Sequence, residues 1–141
     1  MSPAYDSNNI FAKILKGEIP SYRVYEDDKT VAFMDVMPQA PGHTLVLPKQ
    51  PSRNLLDADP ATLSHVIGVV QKIANAAKEA FDADGIYIAQ FNEPAAGQTV
   101  FHLHFHVIPR HEGAALKPHS GKMEDSAVLA ANAQKLIEAL S

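Results

Sequence analysis

The chain changes its apolar period several times, and each change marks an element. Ile10, Phe11, Ile14 and Leu15 recur at helical spacing; Asn8 and Asn9 before them suit a cap, and Gly17 after them suits a stop. "YRVYE" and "TVAFMD" are rich in β-branched and aromatic residues and flank the polar Asp27-Asp28-Lys29, which predicts a hairpin. "PQAPG" then breaks the chain before a further strand, "HTLVLP". Asp59-Pro60 opens the longest helix, with Leu63, Ile67, Val70, Ile73, Ala74, Ala77 and Phe81 assigned to one face and Gly85 to its end. "IYIAQF" and "HLHFHVI" are the last two strands, residues 111–122 a loop, and residues 124–140 a closing helix. Strands arrive in hairpin-like pairs and not as βαβ units, so the class is α+β with a largely antiparallel sheet. Residues 1–7 are expected to be a flexible tail and 8–141 one domain.

Composition narrows the function. The 141 residues carry a formal net charge of −4 and no basic block, which disfavours a nucleic acid held by phosphate neutralisation. Cysteine is absent, which excludes disulfides and thiolate metal sites. No apolar run approaches the roughly 18 residues needed to span a bilayer. No basic stretch followed by an apolar core opens the chain. The expectation is a cytoplasmic protein with no membrane partner.

The chemistry concentrates in "TVFHLHFHVIPR". Side chains on a strand alternate, so His102, His104 and His106 are expected on one face and Leu103, Phe105 and Val107 on the other. An ordinary half-buried strand has no need of three imidazoles in a row. Two of them, about 7 Å apart at Cα, could chelate one ion, but the outer pair at roughly 13 Å could not, and no acidic third ligand follows. Imidazole catalysis is the other reading, because histidine acts as nucleophile, acid or base near neutral pH. The preceding "NEPAAGQTV" supplies Gly97, Gln98 and Thr99, which suit a rim that binds phosphate oxygens.

"HLHFHVI" matches His-φ-His-φ-His-φ-φ, where φ is apolar, and resembles the histidine triad (HIT) family of nucleotide hydrolases and transferases. The likeness extends over residues 10–49 and over "NEPAAGQTV". It implies a five-stranded antiparallel sheet with helices, a homodimer and a purine nucleotide ligand. It implies that His104 is the nucleophile, that the main-chain carbonyl of His102 sets its tautomer, and that His106 contacts phosphate and helps protonate the leaving group. His43 matches a fourth histidine beside the triad. Asn92, Gln98 and Thr99 would position phosphate oxygens and Asp35 would bind ribose hydroxyls. Ile10, Phe11, Ile14, Phe33, Val36 and Leu45 would line the base pocket.

Some relatives hold a structural zinc through Cys-x-x-Cys; Asn9 and Ala12 stand in those places here, so the zinc is expected to be absent and no metal to be obligatory. His106 stands where the transferase branch has glutamine, which favours hydrolysis. "AGQTV" and "HVIPR" lean towards the Fhit branch and "DVMPQAPGH" towards the Hint branch. The expected reaction is cleavage at the α-phosphate of a nucleoside phosphoramidate or dinucleoside polyphosphate. The rival is a nucleotide-binding sensor with negligible turnover. His65 is expected to be structural or exposed, and His111 and His119 lie in the loop.

Overall fold

Alternation in the strands and capping in the helices largely build what the pattern predicts. The computed structural model describes residues 4–118 and 122–141. Helix α1 (Ile10–Leu15) is capped by Asn9, whose side chain accepts from Ala12 N. Strands β1 (Arg23–Glu26), β2 (Thr30–Met34) and β3 (Thr44–Pro48) form a meander. Helix α2 (Pro60–Ala80), capped by Asp59, leads to β4 (Gly85–Ala89) and β5 (Phe105–Arg110), and α3 (Ser126–Leu140) closes the chain. Short 3-10 turns lie at Leu55–Asp57 and Pro94–Ala96. The sheet order is β1-β2-β3-β5-β4, with every neighbouring pair antiparallel.

The two sheet faces carry different burdens. Ala32, Met34, Val46, Phe105 and Val107 pack with α2 and α3 in the larger core. Val31, Phe33, Leu45 and Leu47 pack beneath Phe11 and Ile14 of α1. Register aligns Phe33 with Leu45 and Leu45 with His106, so the third histidine stands in the row of the smaller core.

Three expectations change. The histidine run is not one strand: β5 begins at Phe105, and His102 to His104 form an irregular approach in which Leu103 N donates to Ser52 O. The buried stripe of α2 is Val66, Val69, Val70, Ile73, Ala76 and Ala77, while Ile67 is 53% exposed. Apolar residues at 66, 67, 69 and 70 fit either of two adjacent stripes, and the sheet selects one. The helix also ends before Gly85: Phe81 caps it, Asp82 turns with φ of 47°, and Gly85 starts β4. Tyr5, within the segment expected as a tail, has its hydroxyl hydrogen-bonded to His102.

Candidate active site

The turn between β2 and β3 sets the first part of the site. Gly42 adopts φ of +90°, a left-handed conformation that favours glycine. His43 N donates to Ala40 O and Asp35 N to His43 O, so Asp35 and His43 are held side by side. His43 is fully buried and Asp35 nearly so.

Partner chemistry fixes each ring's tautomer. Gln39 N–H lies 3.1 Å from His43 Nδ1, and a backbone N–H can only donate, so His43 carries its proton on Nε2. That nitrogen is 2.9 Å from His106 Nδ1 and 3.5 Å from an Asp35 carboxylate oxygen. His106 Nδ1 therefore accepts, and its Nε2 carries the N–H. His104 is held in the opposite sense: its Nδ1 is 2.6 Å from the His102 carbonyl oxygen, which can only accept. The proton sits on Nδ1 and the lone pair on Nε2. The two rings lie side by side, centroids 5.1 Å apart, with the edge of Phe11 on His104 and of Phe91 on His106.

His102 differs from its neighbours. Its Nε2 is 2.7 Å from Pro48 O and its Nδ1 2.6 Å from Tyr5 Oη, and its ring lines neither of the cavities that His104 and His106 share. Burial pushes its pKa down to about 4, with a smaller depression from His104 and an opposing effect from the hydrogen bond to Pro48 O. Its contribution to the site is its main-chain carbonyl.

His104 and His106 stand at the junction of two cavities. One, of about 530 Å³, is mostly apolar and is lined by Ile10, Phe11, Ile14, Phe33, Val36 and Leu45, and also by Asp35. The other, of about 330 Å³, is lined by Gln39, Phe91, Gly97, Gln98 and Thr99. Thr99 reaches both. The larger volume suits a small organic ligand with one polar end.

Two expected phosphate donors are engaged elsewhere. The Gln98 amide accepts from Asn54 Nδ2 and Glu93 N and donates to Arg53 O and Val100 O, which uses its full capacity. It touches the second cavity as a frame for the loop. Asn92 exchanges hydrogen bonds with Gln90 and accepts from Leu55 N, and it lines neither cavity. The loop is braced instead by Arg53, whose guanidinium makes two hydrogen bonds to Glu93, a residue held at φ of 74°. Pro20, Ser21, Met34, Met37 and Val100 also line the apolar cavity and Phe91 and Gln39 the other; no motif singles them out.

Among the described residues, one group has the spacing of metal ligands: Asp35, His43 and His106. Its donors do not fit a cation. Binding through His43 Nε2 would move that ring's proton to Nδ1, against the N–H of Gln39, whereas ligating histidines donate their second nitrogen to an acceptor. Nor do Asn9, spent on capping α1, and Ala12, which has no donor side chain, fit a zinc site. His65 is hydrogen-bonded to Asp27 at 2.9 Å, and His111 donates to Phe81 O at 2.9 Å; neither lines the two cavities. His119 lies outside the described residues.

Comparison with known proteins places this geometry in company. A family model described as "HIT domain" matches residues 16–113. The crystal structure of a Hit-like protein involved in cell-cycle regulation from Bartonella henselae is 62% identical, with a TM-score of 0.91 over 97% of this chain and 100% of that one. A hypothetical histidine triad nucleotide-binding protein from Sulfolobus tokodaii strain7 is 35% identical, with a TM-score of 0.86 over 92% and 90% of the two chains. The adenylylsulfatase HINT3 of Arabidopsis thaliana is 33% identical over 132 residues, covering 89% of this chain and 67% of that protein.

Proposed function

The chain belongs to the HIT family, and on that premise we propose that it is a nucleotidyl hydrolase working without an obligatory metal. It cleaves at the α-phosphate of a purine nucleoside phosphoramidate or dinucleoside polyphosphate and releases a nucleoside monophosphate. The observation that carries this reading is the opposed tautomer pair, a lone pair on His104 Nε2 beside an N–H on His106 Nε2, at the junction of the two cavities. The HINT3 relative is named an adenylylsulfatase, which supports a hydrolase.

In the proposed reaction the base lies in the apolar cavity under Phe11 and Leu45, the ribose near Asp35, and the leaving group in the second cavity. His104 Nε2 attacks phosphorus. The bond from phosphorus to the leaving nitrogen or oxygen breaks, and that atom departs with the electron pair and takes up a proton from solvent. The contact with His43 gives His106 a refined part. A charged His106 would set two N–H groups against each other across 2.9 Å, so it serves as a neutral hydrogen-bond donor to phosphate or leaving group. Water then attacks phosphorus and gives up a proton to solvent, the P–Nε2 bond breaks with its electron pair going to nitrogen, and His104 regains its lone pair.

A homodimer is part of the proposal. Strand β4 is a sheet edge, and Tyr87 and Ile88 are 45% and 42% exposed on it, an apolar edge that a second copy would cover. No described helix is long and apolar enough to cross a membrane. The sequence features of both branches, Hint-like in "DVMPQAPGH" and Fhit-like in "AGQTV" and "HVIPR", leave both leaving-group classes within the proposal.

The test is a quenched single-turnover reaction with radiolabelled adenosine phosphoramidate and EDTA, on wild type and His104→Ala. A transient labelled protein and AMP release in wild type only is the expected result, with the variant slower by more than about 10⁴-fold. Nucleotide binding with neither adduct nor AMP, from this substrate and from a dinucleoside polyphosphate, would replace the hydrolase with a nucleotide sensor.

A further inference from the structure

The segment ahead of α1 is tied down residue by residue. Asp6 Oδ1 accepts from Asn8 N, Asn9 Nδ2 donates to Asp6 O, and Asn9 Oδ1 caps the helix. From this knot Tyr5 reaches across to His102. Their rings meet edge to face, centroids 5.6 Å apart at 71°, and the phenol oxygen lies 2.6 Å from Nδ1. On the far side of the imidazole, Pro48 O can only accept, so Nε2 carries the proton. Burial keeps the ring neutral, its pKa pushed down to about 4. Nδ1 is then a buried acceptor, and the Tyr5 hydroxyl donates to it.

We infer that Tyr5 is a positioning residue for His104, acting through His102. The phenol holds the His102 ring from one side while Pro48 holds it from the other, and the carbonyl of the same residue accepts from His104 Nδ1. With one of its two ring anchors lost, His102 can shift as a whole residue, and a displaced carbonyl weakens the preference of His104 for a proton on Nδ1. The peptide is not left to Tyr5 alone, because Leu103 N donates to Ser52 O at 2.8 Å. The expected effect is therefore moderate. The inference rests on the proposed role of His104, but its central readout does not require turnover.

The experiment uses the full chain labelled with ¹⁵N-histidine, as wild type, Tyr5→Phe and Tyr5→Leu, each checked for fold by its backbone amide spectrum. In wild type, the side-chain nitrogens should report His102 protonated at Nε2 and His104 at Nδ1. A wild-type His102 with its proton on Nδ1 overturns the inference before any variant is made. In Tyr5→Phe the His104 signals should move towards a mixture of tautomers, and Tyr5→Leu should do the same. In parallel, kcat for adenosine phosphoramidate should fall about 10-fold in both, the scale of one hydrogen bond, with KM within two-fold. If Tyr5→Phe keeps the wild-type His104 signals, whether or not Tyr5→Leu does, the hydroxyl does not position His104 and the inference fails. A shift in the nitrogen signals with no turnover in any form would uphold the positioning and overturn the hydrolase instead.

Discussion

Two short hydrogen-bond chains enter the site from opposite sides, and they differ in the group at which each is anchored. One runs from Pro48 and Tyr5 through His102 to His104 and meets the nucleophile with a carbonyl oxygen. The other starts at the N–H of Gln39 and runs through His43 to His106. An acceptor at the head of one chain and a donor at the head of the other leave adjacent imidazoles with opposite tautomers. Side-chain chemistry is the same in both, and the backbone makes the difference. Three residues of one type can thus take three roles.

The comparison can be broken most severely at the second chain. His43→Leu removes the N–H that sets His106 and leaves it free to take either tautomer. Steady-state assays should show kcat reduced by about 10²- to 10³-fold, well beyond the effect expected of Tyr5→Phe. Equal losses in the two variants would mean that the chains are not distinct in function.

The first chain should reveal itself through pH. His102 has a folded pKa of about 4 against an unfolded 6.5. Above 6.5 both states leave the ring neutral and nothing is lost. As pH falls from 6.5 towards 4 the unfolded chain takes up a proton that the folded one refuses, so stability declines and then levels. The contribution is about 3 kcal/mol, readable by urea denaturation across that range. His102→Gln should flatten this part of the profile; an unchanged slope would assign the loss to other groups.

The smallest expected effect lies at Gly42. A Cβ there would meet the ring of Phe81, and φ of +90° strains any other residue. Gly42→Ala should cost about 1–2 kcal/mol in stability and slow turnover by displacing His43, while leaving the His102 signals where they are. A displaced His102 would show that the two chains share one support.

Much of this was legible because periodicity and capping are local. Asn9 and Asp59 stand as caps where their side chains predict, and alternation in "TVAFM" and "TLVLP" carries the sheet. The residues of the apolar cavity came from the family resemblance instead, and the register of β2, β3 and β5 shows why Phe33, Leu45 and His106 share a row. Periodicity says nothing about a side chain's partner when that partner is remote in sequence. Gln98 and Asn92 have amides that suit phosphate, yet besides near neighbours they bond Arg53, Asn54 and Leu55, some forty residues away. His102 shares a motif with His104, but the strand that would have set it on the same face begins only at Phe105. Tyr5 belongs to a segment with no periodicity of its own.

Strand order carries a consequence for how the molecule is made. β5 inserts between β3 and β4, both of which precede it in the chain. During synthesis most of the apolar cavity's wall, from α1 to β3, is available before residue 50, while Thr99, Val100 and both working imidazoles emerge about fifty residues later. Until then β3 and β4 each present an unpaired edge towards the vacant place of β5. A ribosome-bound or truncated chain ending near residue 100 should therefore combine a preformed greasy pocket with no chemistry and two open edges. The last strand to arrive closes the sheet and switches on the site in the same event.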